Sequence, residues 1–107
     1  MDRAARRAEI RWSRSGPLDK RRSVVILTRD SAIEYLGEVA IAPVNSTIRD
    51  VPSELPLSRE DGMPRDCAAN LDHIQTVSKS RIGALIGILS PQRLQELRKA
   101  LLFALGF

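Results

Sequence analysis

Two short apolar runs organise the first half of the chain. Arg22 to Thr28 contains Val24, Val25, Ile26 and Leu27, and a β-branched run of this length predicts a strand buried on both faces. Glu38 to Val44 predicts a second such strand, stopped by Pro43 and the polar triplet Asn45, Ser46 and Thr47. Ahead of both, Glu9 to Ser13 alternates charged Glu9 and Arg11 with apolar Ile10 and Trp12, the period of a half-buried strand, and Ser15, Gly16 and Pro17 break it. Between the two runs, Asp30 to Leu36 predicts two turns of helix, with Asp30 or Ser31 as N-cap and Gly37 just past the end.

The second half is less regular until its end. Val51 to Leu57 holds Pro52 and Pro56, which cannot donate to a ladder, so an edge strand is the most it can form. Arg59 to Pro64 reads as a polar loop around Gly62. Cys67 to Ile74 and Gln75 to Val77 alternate weakly and predict one bent strand; Arg81 to Leu85 predicts a helical turn, and Ile86 to Leu89 a last short strand. The final segment has Ser90 to cap and Pro91 at the first helical position. Leu94, Leu97, Leu101 and Leu105 follow at spacings of three and four, and Gly106 closes it, which predicts an amphipathic helix.

Several short strands followed by one helix imply a small, largely antiparallel β-barrel with a C-terminal α-helix and a short internal helix, rather than an alternating βαβ fold. At 107 residues one core is expected. We divide the chain into a basic N-terminal arm, residues 1–8, and a single domain, 9–107.

Charge adds a direction to this plan. Nine basic residues face three acidic ones in the first 29 positions, while the chain as a whole carries +4, so the remainder is net acidic. Clustered arginines suit a polyanion or an acidic protein partner. Only four aromatics are present, Trp12, Tyr35, Phe103 and Phe107, too few for a base-stacking platform. A lone cysteine, Cys67, excludes an intrachain disulfide and suits a reducing cytoplasm. No apolar run approaches the roughly 18 residues of a membrane span, and the arginines near the N-terminus are not followed by the apolar stretch of a secretory signal. A soluble, cytoplasmic protein is expected.

Most catalytic chemistries find no support. The phosphate loops GxxxxGK[ST] and GxGxxG are missing, as are HExxH and paired CxxC motifs, and one histidine with one cysteine makes no zinc site. Asp30, Glu34 and Asp50 are the carboxylates a magnesium site would draw on, and they read better as caps and solvated surface. His73 beside Asp72 invites an acid–base reading, but a hydrogen-bonded or surface histidine is the plainer one. Cys67 lacks a neighbouring base and reads as core. What is left is Arg22 ahead of one buried strand and Asn45, Ser46 and Thr47 at the end of another; alone these read as a surface charge and a turn, but two adjacent strand ends could bring them to one phosphate.

These same segments resemble the MazF/PemK family of toxins from toxin–antitoxin modules. RAEIRW at 7–12 resembles the family's opening R-G-[DE]-[IV]-x-[FW], with Ala8 in place of glycine. RRSVVILTRD at 21–30 is similar to its R-P-[VA]-[LV]-V-[IL] strand, with Arg22 as the motif arginine and Ser23 replacing proline. VAIAPVNST at 39–47 resembles V-x-V-x-P-[VIC]-T-[ST]. LDHIQTVSKSRIGALIGIL at 71–89 resembles D-Q-[IV]-[RK]-[ST]-[IV]-x-[KR]-x-R-[IL] and the x-G-x-[LV] after it. With the leucine-rich helix ending LGF, the match runs in register from Arg7 to Gly106.

The resemblance implies an SH3-like β-barrel with a C-terminal helix, a homodimer, and a toxin that cuts single-stranded RNA without metal or other cofactor. The ribose 2′-hydroxyl attacks the adjacent phosphate, leaving a cyclic phosphate and a 5′-hydroxyl, and an acidic antitoxin blocks the groove. By position it makes Arg22, Asn45 and Ser46 catalytic, and Arg21, Thr47, Gln75, Lys79 and Arg81 RNA contacts. Arg22 would stabilise the pentacoordinate phosphorane through its fixed donors. Asn45 stands where the family has a threonine, and an amide cannot relay a proton as a hydroxyl does, so Ser46 is the group to take that role. The loop from Ser13 to Arg21 lacks the family's Gly-Ser-Glu segment, which implies different base selection. A gyrase-inhibiting toxin on the same barrel, or a non-catalytic RNA- or antitoxin-binding protein, are the alternatives these residues leave open.

Overall fold

A computed structural model describes residues 5–15 and 20–107. Seven strands form one curled sheet, in the order β4-β5-β3-β2-β1-β7 with β6 also paired to β3. The strands are β1 (Glu9–Ser15), β2 (Lys20–Ile26), β3 (Glu38–Asn45), β4 (Glu54–Leu57), β5 (Cys67–Asn70), β6 (Gln75–Ser78) and β7 (Ile82–Ile88); the helices are α1 (Asp30–Ile33) and α2 (Pro91–Leu105). All the strand pairs are antiparallel. A half-barrel with a C-terminal helix is thus the architecture, as expected from the strand-then-helix order.

β3 is the hub. One edge pairs with β2, and the other is shared, with β6 along its first half and β5 at its end. The cause of this sharing is local. Asn70 accepts a hydrogen bond from the Asp72 backbone N–H at 2.8 Å and starts a 3-10 turn over Leu71–His73. The turn parts β5 from β6, so the single bent strand expected from Cys67 to Val77 is two strands on different stretches of β3.

The end of the sheet also departs from expectation. The turn predicted at Arg81 to Leu85 lies earlier, at Lys79–Arg81, where the Ser78 hydroxyl accepts from the Ser80 N–H. Ile82 to Ile88 is then a full strand along β1. Its pattern is obscured by Gly87, where a Cβ would sit 2.1 Å from the Asp61 carbonyl oxygen, so only glycine fits the close approach.

Alternation along the strands separates two cores, since antiparallel partners share a face. Ile10, Val25, Ala42, Val44, Leu55, Leu57 and Ala69 point to one side and meet Leu97 and Ala100 of α2. Val24, Ile26, Val39 and Ile41 point to the other, beneath Ile33 of α1. On that second face Arg11 is buried with Glu9, donating from Nε to Glu9 Oε1 at 2.9 Å and from Nη1 to the Gly83 carbonyl at 3.0 Å. One of the arginines counted in the basic N-terminal third is therefore spent inside the fold.

The helices follow their caps. Ser90 Oγ accepts from the Arg93 N–H at 3.1 Å, Pro91 occupies the first turn, and Gly106 ends α2 at φ 80°. Because α2 rests on β4 and the Leu71–His73 turn, its buried side is Leu97 and Ala100 with Leu101 and Ala104 beside them, and Leu94 and Leu105 of the expected stripe are exposed. α1 is one turn, not two. Arg29 precedes it without a side-chain cap, and Asp30 accepts instead from the Arg7 N–H at 2.7 Å. That bond, and the one from the Ala8 N–H to the Ile26 carbonyl, tie residues 7 and 8 to the sheet, while Arg3 lies outside the described residues.

Candidate active site

The β2–β3 register pairs Val24 with Pro43, Val25 with Ala42 and Ile26 with Ile41. Extended by two residues it sets Arg22 opposite Asn45, on the face of Val24 and Ile41. The side chains meet there: Arg22 Nη2 donates to Asn45 Oδ1 at 2.9 Å. Both are half-buried. On β1, Ser13 is the partner of Arg22, and on β5, Ala68 is the partner of Asn45. One row across the sheet therefore reads Ser13, Arg22, Asn45, Ala68.

This geometry assigns the amide of Asn45 a definite orientation. Its oxygen is taken by Arg22, so its Nδ2 is left as a donor, and a guanidinium has further N–H groups beyond the one committed to Asn45. Arg22 and Asn45 together present side-chain N–H donors of the kind that holds a phosphate or its trigonal-bipyramidal successor. Ser46 and Thr47 follow directly in the chain and are exposed.

The other expected RNA contacts are dispersed. Gln75 is exposed on the same face, opposite Ile41, which is four residues or about 13 Å along β3 from Asn45. Arg81 is exposed just before Ile82, the partner of Ser13, and so lies at the Arg22 end of the sheet. Lys79 donates from Nζ to the Ile33 carbonyl at 2.8 Å and holds α1 down. Arg21 is on the opposite face from Arg22, its guanidinium carbon 4.4 Å from the centre of the Trp12 ring, a cation–π contact.

Residues weighed for other chemistry take structural roles. Asp72 accepts from the Ser53 hydroxyl, while the His73 ring faces the Asn70 amide at 3.5 Å, so the adjacent pair forms no acid–base dyad. Cys67 is buried; desolvation first, then the nearby carboxylates of Asp61 and Asp66, pushes its thiol pKa up, which disfavours the nucleophilic thiolate. Asp30 is engaged with Arg7, and Glu34 and Asp50 are exposed.

Two contributors escaped the sequence reading. Ser13 is 3% exposed and adjoins Arg22 only through the hairpin register. Glu54 holds the loop after Asn45, accepting at Oε1 from the N–H groups of Arg49 and Asp50 at 2.9 and 3.1 Å. The alternation of β1 could have indicated Ser13 once its pairing was known; nothing local indicates Glu54.

Residues 6–105 match the family described as PemK-like, MazF-like toxin of type II toxin-antitoxin system. A probable endoribonuclease MazF5 of Mycobacterium tuberculosis strain H37Rv is 36% identical over 96 residues, which span 89% of this chain and 87% of that one. Among solved structures, Mycobacterium tuberculosis toxin MazF-mt6 superposes with a TM-score of 0.85 at 28% identity, covering 92% of this chain and 97% of that one. A mycobacterial endoribonuclease in complex with its cognate antitoxin shares the fold, with a TM-score of 0.86 at 21% identity over 97% of both chains.

Proposed function

Because the chain belongs to the PemK-like, MazF-like toxin family of type II toxin–antitoxin systems, we propose that it is an endoribonuclease that cuts single-stranded RNA through Arg22, Asn45 and Ser46. The observation that carries this reading is the Arg22–Asn45 hydrogen bond, which turns the motif arginine into an oriented donor beside the apolar cluster of Val24 and Ile41. An open face, rather than an enclosed pocket, suits a polymer.

In the proposed reaction the 2′-oxygen attacks phosphorus, the bond from phosphorus to the 5′-oxygen breaks, and the products are a 2′,3′-cyclic phosphate and a 5′-hydroxyl. Charge builds on the non-bridging oxygens, where Arg22 donates two N–H groups and Asn45 Nδ2 another. The proton leaving the 2′-hydroxyl and the one reaching the 5′-oxygen pass by way of the Ser46 hydroxyl, since neither a guanidinium nor an amide exchanges protons readily at neutral pH. Thr47, Gln75 and Arg81 guide the strand along this face. Lys79 and Arg21, engaged elsewhere, add positive potential rather than direct contacts.

The working unit is a homodimer in the cytoplasm, neutralised by an acidic antitoxin. Pairing is supported by exposed apolar side chains on the edge strand β7, Leu85 and Ile88, and at the end of α2, Phe103, Leu105 and Phe107. Among the described residues no helix is long and apolar enough to cross a membrane. The test is incubation of the purified chain with a long RNA in EDTA and mapping of the new 5′ ends. Discrete cuts bearing 5′-hydroxyls are expected; intact RNA, or ends bearing 5′-phosphate, would refute the reading.

A further inference from the structure

The segment carrying Ser46 and Thr47 has no strand partner, yet it must cross from the end of β3 to β4 over the intervening β5. Asp50, within that crossing, adopts φ 56°, a left-handed conformation that Asp tolerates better than most side chains. Beneath the crossing is Glu54, first residue of β4 and 9% exposed. Its register partner Asn70 and the Asn45 partner Ala68 are two apart on β5, so Glu54 lies on the same face as Arg22 and Asn45. Its carboxylate accepts both the Arg49 and the Asp50 N–H, and its own N–H donates to the Val51 carbonyl at 3.0 Å. A carboxylate binding two successive backbone N–H groups makes charge-assisted bonds, stronger than neutral ones, and fixes their direction.

We propose that Glu54 is a positioning residue of the active site, its carboxylate clamping the Arg49–Asp50 backbone and so fixing where Ser46 and Thr47 stand beside the Arg22–Asn45 pair. This rests on the nuclease reading above. Glu54 touches no reacting atom in this account; it acts through the loop. Gln75 and Arg81, which guide the strand, lie off the clamped segment and only Thr47 lies on it, so binding of RNA should change little. Turnover depends on where Ser46 stands, and misplacement by about 1 Å can cost up to about a hundredfold in rate.

The test compares Glu54→Ala, which removes the acceptor, with Glu54→Gln, which keeps a neutral one. Two readouts are taken: steady-state RNA cleavage and amide hydrogen exchange at Arg49 and Asp50. For Glu54→Ala, kcat is expected to fall about tenfold or more with KM within about twofold, and exchange at both amides to rise about tenfold. Glu54→Gln should stay within about threefold of the unaltered chain on both readouts. The proposal is overturned if Glu54→Ala leaves exchange or kcat unchanged, if its loss falls on KM, or if Glu54→Gln is equally damaging. Should Glu54→Ala fail to fold, Glu54→Asp, one methylene too short to span the clamp, must show the same kcat loss and faster exchange; behaviour like the unaltered chain overturns the proposal. Absence of cleavage by the unaltered chain defeats the nuclease reading and this role together, whereas cleavage indifferent to Glu54 defeats this role alone.

Discussion

The two faces of the sheet are built from alternate residues of the same strands and do opposite work. On the α2 side, Ile10, Val25, Ala42, Leu55 and Ala69 are all fully buried or nearly so, and apolar packing runs unbroken across the strands to the helix. On the other side, Val24, Ile26 and Ile41 form a small core that gives way within one turn of the alternation to Ser13, Arg22 and Asn45. Neighbours in sequence are thereby divided. Arg21 stacks on Trp12 on one face while Arg22 engages Asn45 on the other. A basic cluster in sequence is therefore not a basic patch in space, because strand period sends Arg21 and Arg22 to opposite faces.

Substitutions on each face should separate the two tasks. The largest effect is expected from Arg22→Ala, which removes the central donor and should slow RNA cleavage by about 10²- to 10³-fold, with Tm from thermal unfolding nearly unchanged. Leu55→Ala should do the reverse. It should cost about 2–5 kcal/mol of stability by denaturant unfolding, with the folded fraction cleaving RNA at the original rate. Ser46→Ala should lower kcat by about tenfold or more, because Asn45 brings no hydroxyl and Ser46 is the group left to relay the proton; a rate within twofold would remove Ser46 from the mechanism.

Most of the face under α2, and part of the candidate site, was legible in the sequence. The β2 and β3 runs and the capped α2 announce themselves because burial on both faces and helix ends each leave a local signature. β7 was legible only from Ile86 on, since Gly83 and the register shifts of its pairing with β1 erase the earlier alternation. Arg22 stood in a motif. Ser13 and Glu54 come to this face through register and a crossing loop, which join residues far apart in sequence and leave no local mark.

Two smaller effects sharpen the division further. Ser90→Ala should cost about 1 kcal/mol through loss of the α2 cap, with cleavage untouched. Cys67 contributes packing at every pH and, beyond that, a pH dependence. Its folded thiol pKa is raised, so the stability it contributes is complete below the ordinary thiol range and is lost as pH rises through that range towards the folded value. Unfolding curves from about pH 7 to about pH 10 should fall more steeply for the unaltered chain than for Cys67→Ala, with no change in cleavage at neutral pH.

Arg21 and Arg22 are adjacent in the chain and engaged on opposite faces. Single-turnover cleavage of one RNA by Arg21→Ala and by Arg22→Ala, measured side by side on chains of matched Tm, is predicted to leave Arg21→Ala within about tenfold of the unaltered rate and to all but abolish cleavage by Arg22→Ala. Equal losses in the two, or a greater loss in Arg21→Ala, would contradict the assignment of catalysis to the Arg22–Asn45 face.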